Sequence, residues 1–251
     1  MRKSIFIFVL SSLVLLMSPL TGNAEGKNAG EKKGRILIKN KEIIELKILE
    51  ERAEKGLTDL VLDEGTSTKT NIVMTSKNGK KMRFKVKKLK TAQLLEKSTS
   101  VNGDTVESYA VTSITNYDSD RYDSKNDSSY GIKAYSRIYI DKITYTDVPG
   151  TYWKLIKATG GWERNDPILR LANRKVNLGT VGLSRQRIES QQVTYEPTRD
   201  TWSYNAPSDW NPVNSQGVNI TTPFVGASST VDIFVSDPDK SWELQFANNF
   251  K

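Results

Sequence analysis

The residues best suited to catalysis are carboxylates set among aromatics. Glu163, Asp166, Glu189, Glu196 and Asp200 share a stretch with Trp153, Trp162, Tyr195, Trp202 and Trp210. Two carboxylates suffice for glycoside hydrolysis, and aromatic faces stack on the flat apolar faces of sugars. Trp162, Trp202 and Trp210 are the ring candidates for ligand binding, because Gly160-Gly161, Pro197 and Pro207 place loops beside them. No two of the acids stand at a diagnostic spacing, and large aromatics more often fill a core. A glycan-active enzyme is therefore the alternative reading, behind a non-enzymatic protein. The chain of 251 residues has no His and no Cys. That composition excludes a Ser-His-Asp triad, a thiol nucleophile, a His- or Cys-ligated zinc and any disulfide.

A second cluster, Asp118, Asp120, Asp123 and Asp127, begins with the spacing of a calcium loop. Calcium takes six to eight oxygen ligands. The cluster lacks the central Gly and closing Glu of an EF-hand, and Arg121 and Lys125 dilute its charge. A solvated loop between strands explains it as well. Apart from that calcium option, no cofactor is expected.

The third chemistry is electrostatic. From Lys77 to Lys90 there are eight basic residues and no acid. Lys81, Arg83, Lys85 and Lys87 alternate with Met82, Phe84 and Val86, so a strand here has one basic and one apolar face. Same-face residues stand about 6.6 Å apart, a row matched to an anionic wall polymer such as teichoic acid, an anionic polysaccharide or lipid headgroups. Lysines protecting an edge strand from aggregation produce the same pattern. Nucleic acid is not an expected partner, because the chain carries an export signal.

The elements that must position these groups are mostly strands. Asn78-Gly79 between two β-prone runs predicts a two-residue hairpin, with Val73 facing Phe84 and Thr75 facing Met82. A helix is expected over Lys41–Lys55, ended by Gly56. Strands are expected at Val106–Thr115, Ile132–Tyr145, Tyr152–Ala158, Leu169–Leu178, Gln191–Tyr195, Thr201–Tyr204, Thr230–Val235 and Ser241–Phe246. The fold class is mainly β: an antiparallel β-sandwich or jelly-roll-like domain preceded by a short helix and a basic β-hairpin. Ser98–Thr115 and Ser128–Tyr145 also have the amphipathic pattern of a membrane-inserting toxin hairpin, a pattern shared by any half-buried antiparallel strand.

Four segments carry a resemblance. Leu89-Lys90-Thr91-Ala92-Gln93 followed by Tyr109-Ala110-Val111-Thr112, and Gly160-Gly161-Trp162 followed by Asn173-Arg174-Lys175-Val176, resemble exported proteins of unknown function in Gram-positive bacteria. The resemblance implies a β-rich secreted protein and attaches no active site.

The N-terminus agrees. Arg2 and Lys3 precede an apolar stretch from Ile5 to Met17, then Pro19 and Gly22-Asn23-Ala24, the layout of a signal peptide cleaved after Ala24. A spanning helix would need about 20 apolar residues. No transmembrane segment is expected to remain after cleavage. Residues 25–100 carry 19 basic and 11 acidic side chains, residues 101–251 carry 16 and 18, and all Tyr and Trp lie in the latter. The expected organisation is a signal peptide over 1–24, a disordered leader over 25–40, a basic helix-plus-hairpin region over 41–100 and an aromatic-rich sandwich over 101–251 that folds by itself. The expected location is extracellular or loosely cell-wall associated.

Overall fold

The computed structural model describes residues 34–62, 64–75, 79, 81–119, 131–214, 224–235 and 237–250. The expected signal peptide lies outside them. The elements in chain order are β1 (Arg35–Lys39), α1 (Leu46–Glu54), β2 (Ser67–Thr75), β3 (Lys81–Thr99), β4 (Thr105–Ser119), β5 (Gly131–Thr144) and β6 (Thr151–Arg164), then β7 (Leu169–Leu183), β8 (Ile188–Tyr195), β9 (Thr201–Asn205), β10 (Val213–Asn214), β11 (Phe224–Val235) and β12 (Asp237–Phe250). Each strand expected from alternation occurs, most of them longer than expected.

All strands join one antiparallel sheet ordered β1-β3-β4-β5-β6-β10-β7-β11-β12, with β2 on β3, β9 on β6 and β8 on β7. β10 links the two halves: Val213 and Asn214 pair with Trp153 and Tyr152 of β6, and Asn214 pairs with Leu183 of β7. The sheet doubles back there, so that β11 and β12 lie across β4, β5 and β6 in a sandwich-like arrangement. Val111, Ile138, Leu155, Val176, Leu178, Val231 and Leu244 fill the space between, all essentially inaccessible. The layers are also tied by polar bonds. The Asn248 carboxamide, fully buried, donates to the Val111 and Ser136 carbonyl oxygens at 2.9 Å each.

β3 explains how the N-terminal part joins this body. Its residues Phe84 to Thr99 pair with Ser119 to Thr105 of β4, and Phe84, Val86 and Ala92 belong to the same buried cluster as Val111 and Tyr117. The composition shift near Val101 therefore does not coincide with a break in the sheet. On the outer face, Leu89 and Ile114 are covered by Ala53 and Leu46 of α1.

Three expectations are corrected. The helix starts at Leu46 rather than Lys41, because Lys41–Glu45 is held as a strap on the sheet. The Gln93 carboxamide donates to the Lys41 carbonyl and accepts from the Ile43 N–H (2.7 and 2.9 Å), while the Glu42 carboxylate accepts from Arg137 and Tyr139 (2.6 and 2.8 Å). The helix end is as expected: Gly56 adopts φ +71° and the Gly56 and Leu57 N–H groups bond the Ala53 and Arg52 carbonyls, a Schellman motif. Second, Arg35–Lys39, inside the leader expected over 25–40, forms β1 against Glu96–Thr99 of β3. Third, the β2–β3 register is one residue off the two-residue hairpin: Ile72 faces Phe84, Met74 faces Met82 and Val73 faces Arg83. A one-residue slip moves every side chain to the other face. The observed register packs both Ile72 and Met74 against the core and leaves Val73 outside, so burial of two apolar residues outweighs the turn preference.

Candidate functional site

Alternation along β3 builds two polar surfaces back to back. On one face Lys81, Arg83 and Lys85 are exposed and Lys87 is half-buried, followed by Leu89 beneath α1. β2 contributes Lys69 directly opposite Lys87, and β4 contributes the exposed Asp118 opposite Lys85. Like charges opposite one another repel. Glu54, in the last turn of α1, offsets that repulsion by pairing with Lys87, and this hydrogen bond holds its carboxyl below the usual range. The exposed basic residues on this face are Lys81, Arg83 and Lys85, and the half-buried Lys87 pairs with the helix.

On the other face Phe84 and Val86 are buried, and the exposed Lys88 and half-buried Lys90 come next. Lys88 lies between Thr68 of β2 and Thr115 of β4, and Lys90 lies beside Ser113 of β4. Facing them across a cleft of about 650 Å³ are Ser229 of β11 and Phe246 and Phe250 of β12. Two bonds span the cleft: Lys90 Nζ donates to the Asn249 carbonyl at 2.6 Å, and the Tyr117 hydroxyl donates to the Gln245 carbonyl at 3.2 Å. Burial pushes the Tyr117 hydroxyl up to about 12, so it remains a donor at any ordinary pH.

The aromatic candidates lie elsewhere. Trp162, Trp202 and Trp210 are 2%, 6% and 8% exposed and belong to the buried cluster, so stacking a sugar on them requires moving their neighbours. Trp202 lies near Tyr204, which stacks on Tyr195 at 4.0 Å between ring centroids. Gly160 makes room for Trp202: a Cβ there would stand 2.5 Å from its ring and 2.4 Å from the Tyr135 carbonyl oxygen.

The acids are dispersed and mostly engaged. Asp200 accepts from Arg174 Nε at 3.0 Å and pairs with Arg164 at 3.6 Å, while its carbonyl accepts from the Trp162 N–H at 2.9 Å. The two motifs Gly160-Gly161-Trp162 and Asn173-Arg174 thereby meet at Asp200. Asn173 sits in a bulge of β7 with φ +51°, and its carboxamide donates to Asp232 at 2.9 Å. Burial alone would raise the Glu189 carboxyl, but hydrogen bonds from Arg187 and Asn211 hold it below its usual range. Asp166 caps a turn through the Ile168 N–H, and Glu163 pairs distantly with Lys133. Glu196 lines a second cleft of about 520 Å³ with Asp232 and Glu243.

Of the calcium candidates, Asp118 is the penultimate residue of β4, while Asp120, Asp123 and Asp127 lie outside the described residues. Among the described residues no group of three or more acids could hold a metal ion, and no helix is long and apolar enough to cross a membrane. β4 and β5, the strands of the toxin-like pattern, sit inside the sheet and are buried on both faces over much of their length.

The polar cleft is what sequence reading missed. Its signal was the continuation of the apolar Phe84-Val86 face by Lys88 and Lys90, where period 2 calls for further apolar residues. Comparison with protein-family models, curated proteins and solved structures finds no match.

Proposed function

We propose that this is an exported, non-enzymatic protein that works at the cell envelope or outside it by binding an anionic polymer, with wall polymers as the class of partner. One observation carries the reading: Lys81, Arg83 and Lys85 are exposed in a single row along one face of β3, with Lys69 beside it on β2. Same-face residues on a strand repeat at about 6.6 Å. The Debye length at 0.1 M salt is about 10 Å, so the charges of such a row act together. The basic head, apolar stretch and small-residue flank at the N-terminus support export.

The test is sedimentation with purified Gram-positive cell walls, intact or stripped of their anionic polymers. The reading expects co-sedimentation with intact walls, loss of it with stripped walls, and loss of it when Lys81, Arg83 and Lys85 are changed together to Ser. Equal retention by both wall preparations would overturn it.

A further inference from the structure

We infer that the cleft between β3–β4 and β11–β12 is a second binding site, for an acidic saccharide: a sugar or polyol unit bearing one phosphate or carboxylate. The inference does not rest on the polymer-binding reading, because the cleft uses the opposite face of β3.

The walls of the cleft carry hydroxyls. Thr115, Ser229 and Ser113 line the cleft from its two walls and are only 1%, 3% and 7% exposed. A sandwich interior favours Val or Ala at such positions, whereas each hydroxyl presents a donor and an acceptor to the cleft it lines. Three such groups on facing walls are placed for a ligand that carries hydroxyls of its own.

The mouth of the cleft carries charge. Lys88 stands exposed in the cross-strand row Thr68–Lys88–Thr115, at the mouth of the same cleft. Its ammonium sits one strand away from the buried Thr115 hydroxyl, so a ligand hydrogen-bonded to Thr115 brings an anionic substituent within reach of Lys88. Phe246 and Phe250 line the cleft and belong to the buried cluster, which gives it a fixed apolar boundary. The Lys90 and Tyr117 bonds to the β12 carbonyls fix the distance between the walls before any ligand arrives. A volume of about 650 Å³ falls within the usual range for small-ligand sites.

The experiment is a titration of the full mature protein, ¹⁵N-labelled, with N-acetylglucosamine 1-phosphate, N-acetylmuramic acid and neutral N-acetylglucosamine. The site expects saturable shifts of the amides of Lys88, Thr115 and Ser229 with at least one acidic probe. The phosphate and carboxylate arms distinguish the two sources of charge. Thr115→Val with Ser229→Ala should weaken binding by about fivefold to fiftyfold, the loss of one or two hydrogen bonds. Lys88→Gln should abolish the preference for the acidic probe over the neutral one. Lys81, Arg83 and Lys85 changed to Ser should leave these shifts intact, which separates this site from the polymer row. The thermal midpoint of the Thr115→Val, Ser229→Ala protein should equal or exceed that of the parent. No saturable shift at these amides with either acidic probe at about 10 mM, an affinity weaker than about 3 kcal/mol, overturns the inference. So does a double variant that binds undiminished or unfolds markedly earlier, which would make the hydroxyls structural.

Discussion

Replacing Asn248 with alanine tests whether β12 truly lies across β4 and β5. The side chain is fully buried and donates two hydrogen bonds at 2.9 Å to carbonyl oxygens on two different strands of the opposite layer. Each bond is worth about 1 kcal/mol net, and truncation also leaves a small void, so the expected loss is about 2–4 kcal/mol. For a chain of this size that lowers the thermal midpoint by roughly 5–15 °C. Urea unfolding followed by tryptophan fluorescence reads it, because Trp153 packs at 4.5 Å on Phe250 two residues further along β12. Asn248→Asp should be worse than alanine at neutral pH. A carboxylate in that position lacks donors and faces two carbonyls, so burial raises its pKa and the variant regains stability as pH falls. A loss below about 0.5 kcal/mol for alanine, the level of an ordinary surface change, would refute the packing of the two layers.

Three further outcomes follow from the same geometry. Burial alone would raise the Glu107 carboxyl, but Lys97 and Lys142 ammonium groups at 2.8 and 3.0 Å and the Tyr109 hydroxyl hold it at about 2. Its contribution is present above about 4.5 and is lost as pH falls toward about 2, and after discounting for solvent screening Glu107→Gln should remove about 1–2 kcal/mol at pH 7 and flatten the acid limb of a stability–pH curve. Gly160→Ala should cost about 2–4 kcal/mol by driving a methyl into the Trp202 ring and the Tyr135 carbonyl, measured as a lowered urea midpoint. A fragment spanning 101–251 should show no cooperative unfolding transition by circular dichroism, because it lacks β3 and with it Phe84, Val86 and Ala92 of the shared core.

Period-2 alternation made the strands legible: Ala134, Ile138 and Ile140 of β5 point inward as their spacing demands. The helix stop at Gly56 was equally local. What escaped were features decided by distant partners. Asn78-Gly79 signals a tight turn, but the register was set by where Ile72 and Met74 could be buried. Lys41–Glu45 reads as helix until Gln93 and Arg137, far along the chain, claim its backbone and carboxylate. β1 is polar at its ends and exposed on both faces, so no amphipathic pattern betrays it; it exists because β3 offers an edge. The basic row was visible as alternation, whereas the cleft behind it needed the knowledge that β11 and β12 fold over β3 and β4. The tryptophans were legible in the same way: large aromatics more often fill a core than a ligand face, and Trp162, Trp202 and Trp210 are buried.

The central claim is that the row on β3 captures an anionic polymer. Equilibrium binding of a poly(glycerol phosphate) to the mature protein at about 0.1 M and about 1 M salt tests it most directly, because the Debye length falls over that range from about 10 Å to about 3 Å, from above to below the spacing of the row. The account predicts a steep loss of affinity with salt, and a loss of at least about tenfold at the lower salt, about 1.4 kcal/mol, when Lys81, Arg83 and Lys85 are all Ser and the fold is intact. Binding indifferent to salt, or undiminished in that variant, would contradict it.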